Sequence, residues 1–544
     1  MRKHITIVLL ILQHFAFSQK SELLNYTETI TLITNTKTIV TGEKLLYSLF
    51  CNDVNNKPSE LSKVAYVACL NEFGKEVFSH KHYLNKSTES GSFFIPSELK
   101  TGNYKIIAYT KWMLNKSKSN YFEQDLLIIN PYLKTDVDHS VFNNQTINDS
   151  ILNNLIVKKS YKKRKIITFN EFKSKLEGQF TTSVRKTNEI NFEQKENTKT
   201  PEKSEKNDKL ILPETKGEII SGKISSSENQ LPLNKIGIAL TDKGNNKYLN
   251  TTITNNNGEF YFILPKPLQS ENITIEVITE NPNYSIVLDP ETKPIYTVNN
   301  NQKIQLKENY TVEIKNRAIA AQIENAYYEI KKDSIILRQA ESSINNSDLQ
   351  VFDLDNITRF SSLKEFIIEV INQVYFTEKE GDFKLRFRNS DINFEINEDP
   401  LTIVDGNLIH DSNDLLKIEF SKVSKISINN KPHYLGNKLY SGLFIVNTAD
   451  NSFNDISNLN KKINLKYNIP FLKEIYYFPD YTNDTSLEKI PDYRVQLYWK
   501  TNISSLQEPI EFSTSDIEGT YEISTIGYTN DGQYINKKSY FIVK

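Results

Sequence analysis

P-L-T-I-V-D-G-N-L-I-H-D (Pro400 to Asp411) opens a run that continues through D-L-L-K-I-E-F-S-K-V-S-K-I-S-I-N (Asp414 to Asn429) and closes with H-Y-L-G-N-K-L-Y-S-G-L-F-I-V-N-T (His433 to Thr448). Leu401 and Ile403, and later Leu443 and Ile445, alternate with residues of the opposite face and are rich in β-branched types, so both segments read as strands. Asp405-Gly406 stands between two apolar runs, the strongest short hairpin signal a sequence offers, because both turn positions want φ > 0. Upstream, Ser362 and Glu365 form a capping box. Leu363, Phe366, Ile367, Val370, Ile371 and Val374 then repeat at helical spacing, predicting a helix over Ser362–Val374. With a strand at Lys384–Arg388, residues 353–450 are predicted to be an α+β domain.

The order strand, Asp-Gly turn, strand, Lys422–Ile428 segment, Gly-bearing turn, strand resembles the plug domain of TonB-dependent outer-membrane receptors. The Arg-Gly that such plugs carry before the last turn is absent. The tail after Thr448 is too short for a receptor barrel, whose strands are about 9–11 residues each, so a plug-like domain without its own barrel is expected.

The 544-residue length implies several domains, and 38% hydrophobic with 11% aromatic residues suffices for packed cores. A net charge of −1 excludes the basic footprint of a nucleic-acid binder. Residues 1–18 read as a signal peptide: Arg2, Lys3 and His4, the apolar run Ile5–Leu12, then Ala16-Phe17-Ser18 as a small-x-small site. No other run approaches the roughly 20 apolar residues of a membrane-spanning helix. The expected location is exported and outer-membrane-associated, on the periplasmic or the cell-surface face.

Residues 19–132 alternate with period two and read as a β-domain. G-E-K-L-L-Y-S-L-F (Gly42–Phe50), S-K-V-A-Y-V-A-C-L-N-E-F-G-K (Ser62–Lys75) and L-K-T-G-N-Y-K-I-I-A-Y-T-K-W-M-L-N (Leu99–Asn115) resemble the macroglobulin-type, Ig-like domains of multidomain exported proteins of the Bacteroidota type. The chemistry that resemblance brings to mind, a thioester, needs a Cys-Gly-Glu-Gln run, and neither Cys has one. Residues 133–192 resemble an abbreviated second such domain, through K-K-S-Y-K-K-R-K-I-I-T-F (Lys158–Phe169) and T-T-S-V-R-K-T-N-E-I (Thr181–Ile190). The basic run Lys158–Lys165 reads as a phosphate site or as an edge strand protected by lysines.

Residues 193–211 lack apolar periodicity and alternate in charge, as a flexible linker does. Residues 212–310 resemble a carboxypeptidase-regulatory-like domain, a module without a catalytic group, through T-N-N-N-G-E-F-Y-F-I-L-P (Thr254–Pro265). A helix follows within 311–352, predicted over Arg317–Ile330 with Ile319, Ile323, Ala326, Tyr327 and Ile330 on its buried face. Residues 451–491 read as an extended wrap over the plug-like domain. Residues 492–544 read as a last β-domain, resembling the end of the same exported family through Y-R-V-Q-L-Y-W-K (Tyr493–Lys500) and F-S-T-S-D-I-E-G-T-Y (Phe512–Tyr521). The fold class expected is mainly β: tandem Ig-like or macroglobulin-like sandwiches plus an α+β plug-like domain, with no transmembrane barrel.

Candidate chemistry is sparse. His80 and His82 share one strand face, either as a metal pair lacking a third ligand or as an exposed face. His410-Asp411 reads as a general base or as a variable polar hairpin. Asp353 and Asp355 begin, without completing, a calcium-loop pattern. Cys51 and Cys69 end alternating runs that could face one core, as a disulfide or as two buried thiols. Nucleophile elbow, phosphate loop and zinc-helix motifs are absent, so no catalytic, metal or cofactor residue is assigned. The function expected is a non-enzymatic scaffold or accessory subunit docked on an outer-membrane β-barrel complex, the barrel-assembly machinery or a TonB-dependent transporter. The alternative is a cell-surface carbohydrate- or peptide-binding protein.

Overall fold

The computed structural model describes residues 26–115, 121–133, 159–187, 190, 210–227, 231–242, 245–278, 283–294, 310–337, 349–354, 360–388, 398–435, 438–450, 453, 462–481 and 485–544. The signal-peptide reading, the 193–209 part of the linker and Asp355 lie outside the described residues. The described residues are mainly β and fall into two compact units, one drawn from Met1–Thr215, Thr292–Leu337 and Pro470–Lys544, the other from Lys216–Glu291 and Arg338–Ile469. None of their sheets closes into a barrel, and none of their helices is long and apolar enough to cross a membrane.

The first unit begins with a sandwich of a three-stranded and a five-stranded sheet. Thr29–Thr34, Lys44–Asn52 and Thr88–Phe94 form one; Thr38–Val40, Phe122–Ile129, Gly102–Tyr109, Val64–Leu70 and Glu76–Tyr83 form the other, in that spatial order. Leu45, Tyr47, Leu49 and Cys51 pack against Val67, Cys69, Ile106 and Ala108, as the period-two pattern predicts.

The predicted division between residues 133–192 and 492–544 needs correction, because the two segments contribute strands to one sandwich. Glu177–Lys186 lies between Gln496–Ser505 and Gly519–Thr529, antiparallel to both, with Val184 opposite Tyr498 on one side and Ile523 on the other. Ser160–Tyr161 closes the far edge of that sheet and Ile166–Phe169 pairs with Ile510–Ser513. Periodicity identifies a strand but not its partner, and here the partners stand more than 300 residues apart in register, as Val184 and Tyr498 do.

The second unit holds a sandwich and an α+β domain. In the sandwich, Glu259–Leu264, Glu218–Ser226 and Tyr284–Leu288 face Asn245–Ile253, Gly237–Asp242, Asn272–Val277 and Lys462–Lys466. Lys462–Lys466 corrects the predicted wrap: part of 451–491 is a strand paired with Asn272–Val277, while Glu474–Ile475 pairs with Ser334–Ile335 in the first unit.

The α+β sheet runs Gln350–Asp353, Val423–Asn429, Leu443–Thr448, Leu401–Val404, Asn407–Ile409, with Leu401–Val404 parallel to Leu443–Val446. Asp405 (φ 45°) and Gly406 (φ 75°) make the predicted two-residue turn. The Asp405 carboxylate accepts from the Thr448 N–H at 2.8 Å, locking that turn to the neighbouring strand. The capped helix is shorter than predicted, Leu363–Val370: Ser362 Oγ accepts from Glu365 N–H, Glu365 reaches back to Ser361 N–H, and Val374 starts the next strand.

Because Glu177–Lys186 is a central strand, removing residues 492–544 exposes both its edges. In such a truncated chain, limited proteolysis is expected to cut within 159–187 while leaving 26–115 intact; equal protection of 159–187 in both chains would contradict the pairing.

Candidate functional site

The helix Thr311–Ala326 organises the site. Its buried face carries Arg317, Ala318, Ala320 and Ala321, not the predicted isoleucine stripe, and Ile319 is 41% exposed. The register differs because the small alanines let the helix lie close to Val40, Leu127 and Ile129, while Arg317 has a counter-charge waiting. That counter-charge is Glu43, at the turn after Thr38–Val40. Arg317 Nε donates to Glu43 Oε1 at 2.8 Å and Arg317 Nη2 donates to Glu43 Oε2 and to the Thr38 carbonyl. Val40 N–H donates to the same Oε2 at 3.1 Å.

Burial pushes the Glu43 carboxyl up, but the Arg317 charge and hydrogen bonds, helped by Arg185 and Val40 N–H, more than reverse this and hold it below its usual value. Arg185, from the second sandwich, stands 3.8 Å from Glu43 Oε2 and donates to Gln496 Oε1 at 3.4 Å. Burial brings the Arg185 guanidinium down to about 10; Glu43 opposes that fall and the like charge of Arg317 adds to it.

Beside this cluster, and wholly within the first unit, lies a cleft of about 520 Å³. Glu43, Lys44 and Phe94 from the first sandwich, Arg185, Tyr493 and Gln496 from the second, Tyr328 beyond the helix, and Tyr476 and Tyr477 from the returning chain contribute to its walls. Lys44 Nζ is held by Asp333 at 2.6 Å and Glu474 at 2.9 Å, and Lys331 Nζ by Glu324 at 2.6 Å. Arg494 binds the Asp492 carboxylate through Nε and Nη2 at 2.8 Å each. Burial drives the Tyr476 hydroxyl far up, and it donates to the Gln496 carbonyl at 2.8 Å. A volume of this size with aromatic walls and a few fixed charges has the make-up of a small-molecule pocket.

The sequence-predicted candidates lie elsewhere. His80 and His82 do not form an exposed face: Tyr47 Oη lies 2.6 Å from His80 Nδ1 and 2.9 Å from His82 Nε2, and the His80 and Phe471 ring centroids are 4.6 Å apart. Burial lowers His80 to about 4, so it stays neutral. Among the described residues no group of three metal-ligating side chains occurs. Cys51 and Cys69 are both free, buried thiols on opposite sheets, with Cys51 Sγ directed at Glu28 Oε1. In the second unit His410 Nε2 sits 3.5 Å from Glu276 Oε2, whose other oxygen accepts from Leu408 N–H, and Asp411 caps a short helix. These contacts join the Asn407–Ile409 strand to the adjoining sandwich. Asp353 ends a strand. In the basic run, Ser160–Tyr161 is an edge strand, and Arg164 is engaged by Asp516 and by three carbonyls. Glu43, Arg185 and Arg317 carry no sequence signal, since a charge destined for burial looks like any surface charge.

No protein-family model and no curated protein matches the sequence. Among solved structures, Salmonella alpha-2-macroglobulin reacted with methylamine is 8% identical over 95% of this chain and 39% of its own, with a TM-score of 0.24. Trypsin-activated alpha-2-macroglobulin from Escherichia coli is 8% identical over 95% and 42%, at 0.24. A tetra-tandem repeat from the extending region of a large adhesion protein is 7% identical over 95% and 99%, at 0.14. The chain thus spans about two fifths of the length of these macroglobulins. At such scores the sandwiches are defined by their own strand pairing alone.

Two outcomes are expected. Glu43→Gln leaves Arg317 buried without its carboxylate and is expected to cost about 3–5 kcal/mol in denaturant unfolding at neutral pH. Since the folded-state pKa of Glu43 lies below its usual 4.5, its contribution is complete above that pH and is lost as pH falls through the folded value, so the gap between variant and parent narrows in acid. His80 acts over a higher window: between pH 6.5 and about 4 the unfolded chain binds a proton that the folded chain refuses, so stability falls with pH there. His80→Phe is expected to remove about 2–3 kcal/mol of that fall, read as a flatter acid limb of melting temperature against pH.

Proposed function

We propose that the protein is a non-enzymatic exported scaffold that docks on an outer-membrane β-barrel protein or complex, of the barrel-assembly or TonB-dependent transporter kind. The observation that carries this reading is the outer face of one sheet in the second unit. Ile219 stands opposite Ile263, Ser221 opposite Tyr261, and Lys223 opposite Val287. Tyr261 is 36%, Ile263 44% and Val287 64% exposed. Exposed apolar side chains on both sides of Ser221 and Lys223 give this sheet face the mixed apolar and polar make-up of an interaction surface.

Three further features support it. The leader-like start points to export, and the α+β domain has the hairpin and sheet expected of a plug-like segment. His80 lies in the core against Tyr47, and His410 stands 3.5 Å from the Glu276 carboxylate. The plug resemblance, the Bacteroidota type and the barrel partner are part of the proposal.

In mild-detergent purification of the tagged full chain, cross-linking with mass spectrometry is expected to connect Lys223 to a β-barrel membrane protein. Ile263→Glu combined with Val287→Glu is expected to weaken that recovery by about tenfold or more without lowering the melting temperature. Recovery of the parent chain only as a free monomer would overturn the reading.

A further inference from the structure

Among the described residues, the cleft of the first unit contains one cation whose bonding is incomplete. Lys44, Lys331 and Arg494 each have a carboxylate oxygen within 2.9 Å. Arg185 does not. Its nearest carboxylate oxygen, Glu43 Oε2 at 3.8 Å, already accepts from Arg317 Nη2 and Val40 N–H, and the other Glu43 oxygen accepts from Arg317 Nε. The one side-chain hydrogen bond Arg185 makes among these residues is the 3.4 Å contact with Gln496.

A guanidinium has five N–H donors in a planar fork matched to a carboxylate. Here it is only 11% exposed, yet it borders a cleft of about 520 Å³. Next to Glu43, Arg185, Lys186 and Arg317 face only Glu43 and Glu313, a local positive excess, whereas across the cleft Lys44 faces both Asp333 and Glu474. Burial lowers the proton affinity of Arg185, the like charge of Arg317 adds to the fall, and Glu43 only partly opposes it.

The remaining walls specify the rest of the ligand. Phe94, Tyr328, Tyr476, Tyr477 and Tyr493 offer rings, and the volume lies within the roughly 300–1,000 Å³ typical of small-molecule sites. We propose that this cleft binds a small amphipathic monocarboxylate, its carboxylate seated on the Arg185 fork and its aromatic or aliphatic body against the tyrosine wall. The site is separate from the docking face and stands without it.

The test is isothermal titration of the full-length protein with phenylacetate, octanoate and, as the uncharged counterpart, phenylacetamide. Saturable one-to-one binding is expected for at least one of the two acids, in the range of about 0.1–1 mM for fragment-sized ligands. Phenylacetamide is expected to bind at least about tenfold more weakly, a difference of 1.4 kcal/mol. Arg185→Gln is expected to abolish the preference for the acid, and Tyr328→Ala, which removes a half-exposed ring of the wall without touching the charge cluster, to weaken every ligand. Circular dichroism and a thermal melt establish that each variant is folded, and the comparison of acid with amide on the parent protein needs no variant. Absence of binding by both acids, equal affinity for acid and amide, or unchanged acid binding in a folded Arg185→Gln protein would each overturn the proposal.

Discussion

One carboxylate fixes the arrangement of the first unit. Glu43 stands between Thr38–Val40 and Lys44–Asn52, strands of opposite sheets, so its position is set by the first sandwich alone. Burying an anion is tolerable only with a close, well-oriented counter-charge. Arg317 supplies it through a two-point contact and thereby sets the rotation of the Thr311–Ala326 helix. Arg185 approaches the same group from the second sandwich. Hydrophobic residues of similar volume would often fill such a position at equal or better stability. What the ion pair adds is specificity, because only one rotation of the helix presents Arg317 to Glu43.

This constraint explains where sequence reading succeeds. Asp405-Gly406 and the Ser362–Glu365 cap are decided by a few neighbouring residues, and the structure carries both turn and cap. The alternating runs of the first sandwich likewise bury the faces their period assigns. Pairing is different. Nothing local in Glu177–Lys186 says that both its neighbours come from the last fifty residues or so, and nothing in Lys462–Lys466 says that it returns to a sheet begun near Gly237. The helix shows the limit most sharply: its isoleucines form the more apolar stripe, yet the buried stripe holds an arginine, because a buried partner outweighs a modest hydrophobic bias.

The histidines show a second limit. Period-two reading assumes a strand has one wet face, but the Lys44–Asn52 strand is buried on both. On one side Tyr47 enters the core, where its hydroxyl meets His80 and His82. On the other, Ser48 meets Thr181 and Phe50 packs against Tyr528 from the second sandwich. Phe471, from a segment far along the chain, covers the imidazoles. A polar pair on a strand is therefore core material wherever a later segment returns to cover it. Gly91 completes the arrangement, since a Cβ there would run into the Tyr47 ring.

The cluster carries more positive than negative charge, and packing alone does not require that. Glu43 already has Arg317 as a two-point counter-charge, so Arg185 adds only a weaker attraction at 3.8 Å while desolvating a second cation. Burying a second guanidinium beside Arg317 costs desolvation first and like-charge repulsion second, and both lower the proton affinity of Arg185. A partly compensated charge is least costly where an anion or water can reach it, and Arg185 is among the residues that line the cleft. Water would answer the charge but not the surroundings, because aromatic rings are poor partners for it. A ligand with a carboxylate at one end and an apolar body at the other answers both, which is why the excess charge and the tyrosine wall are best understood as one feature.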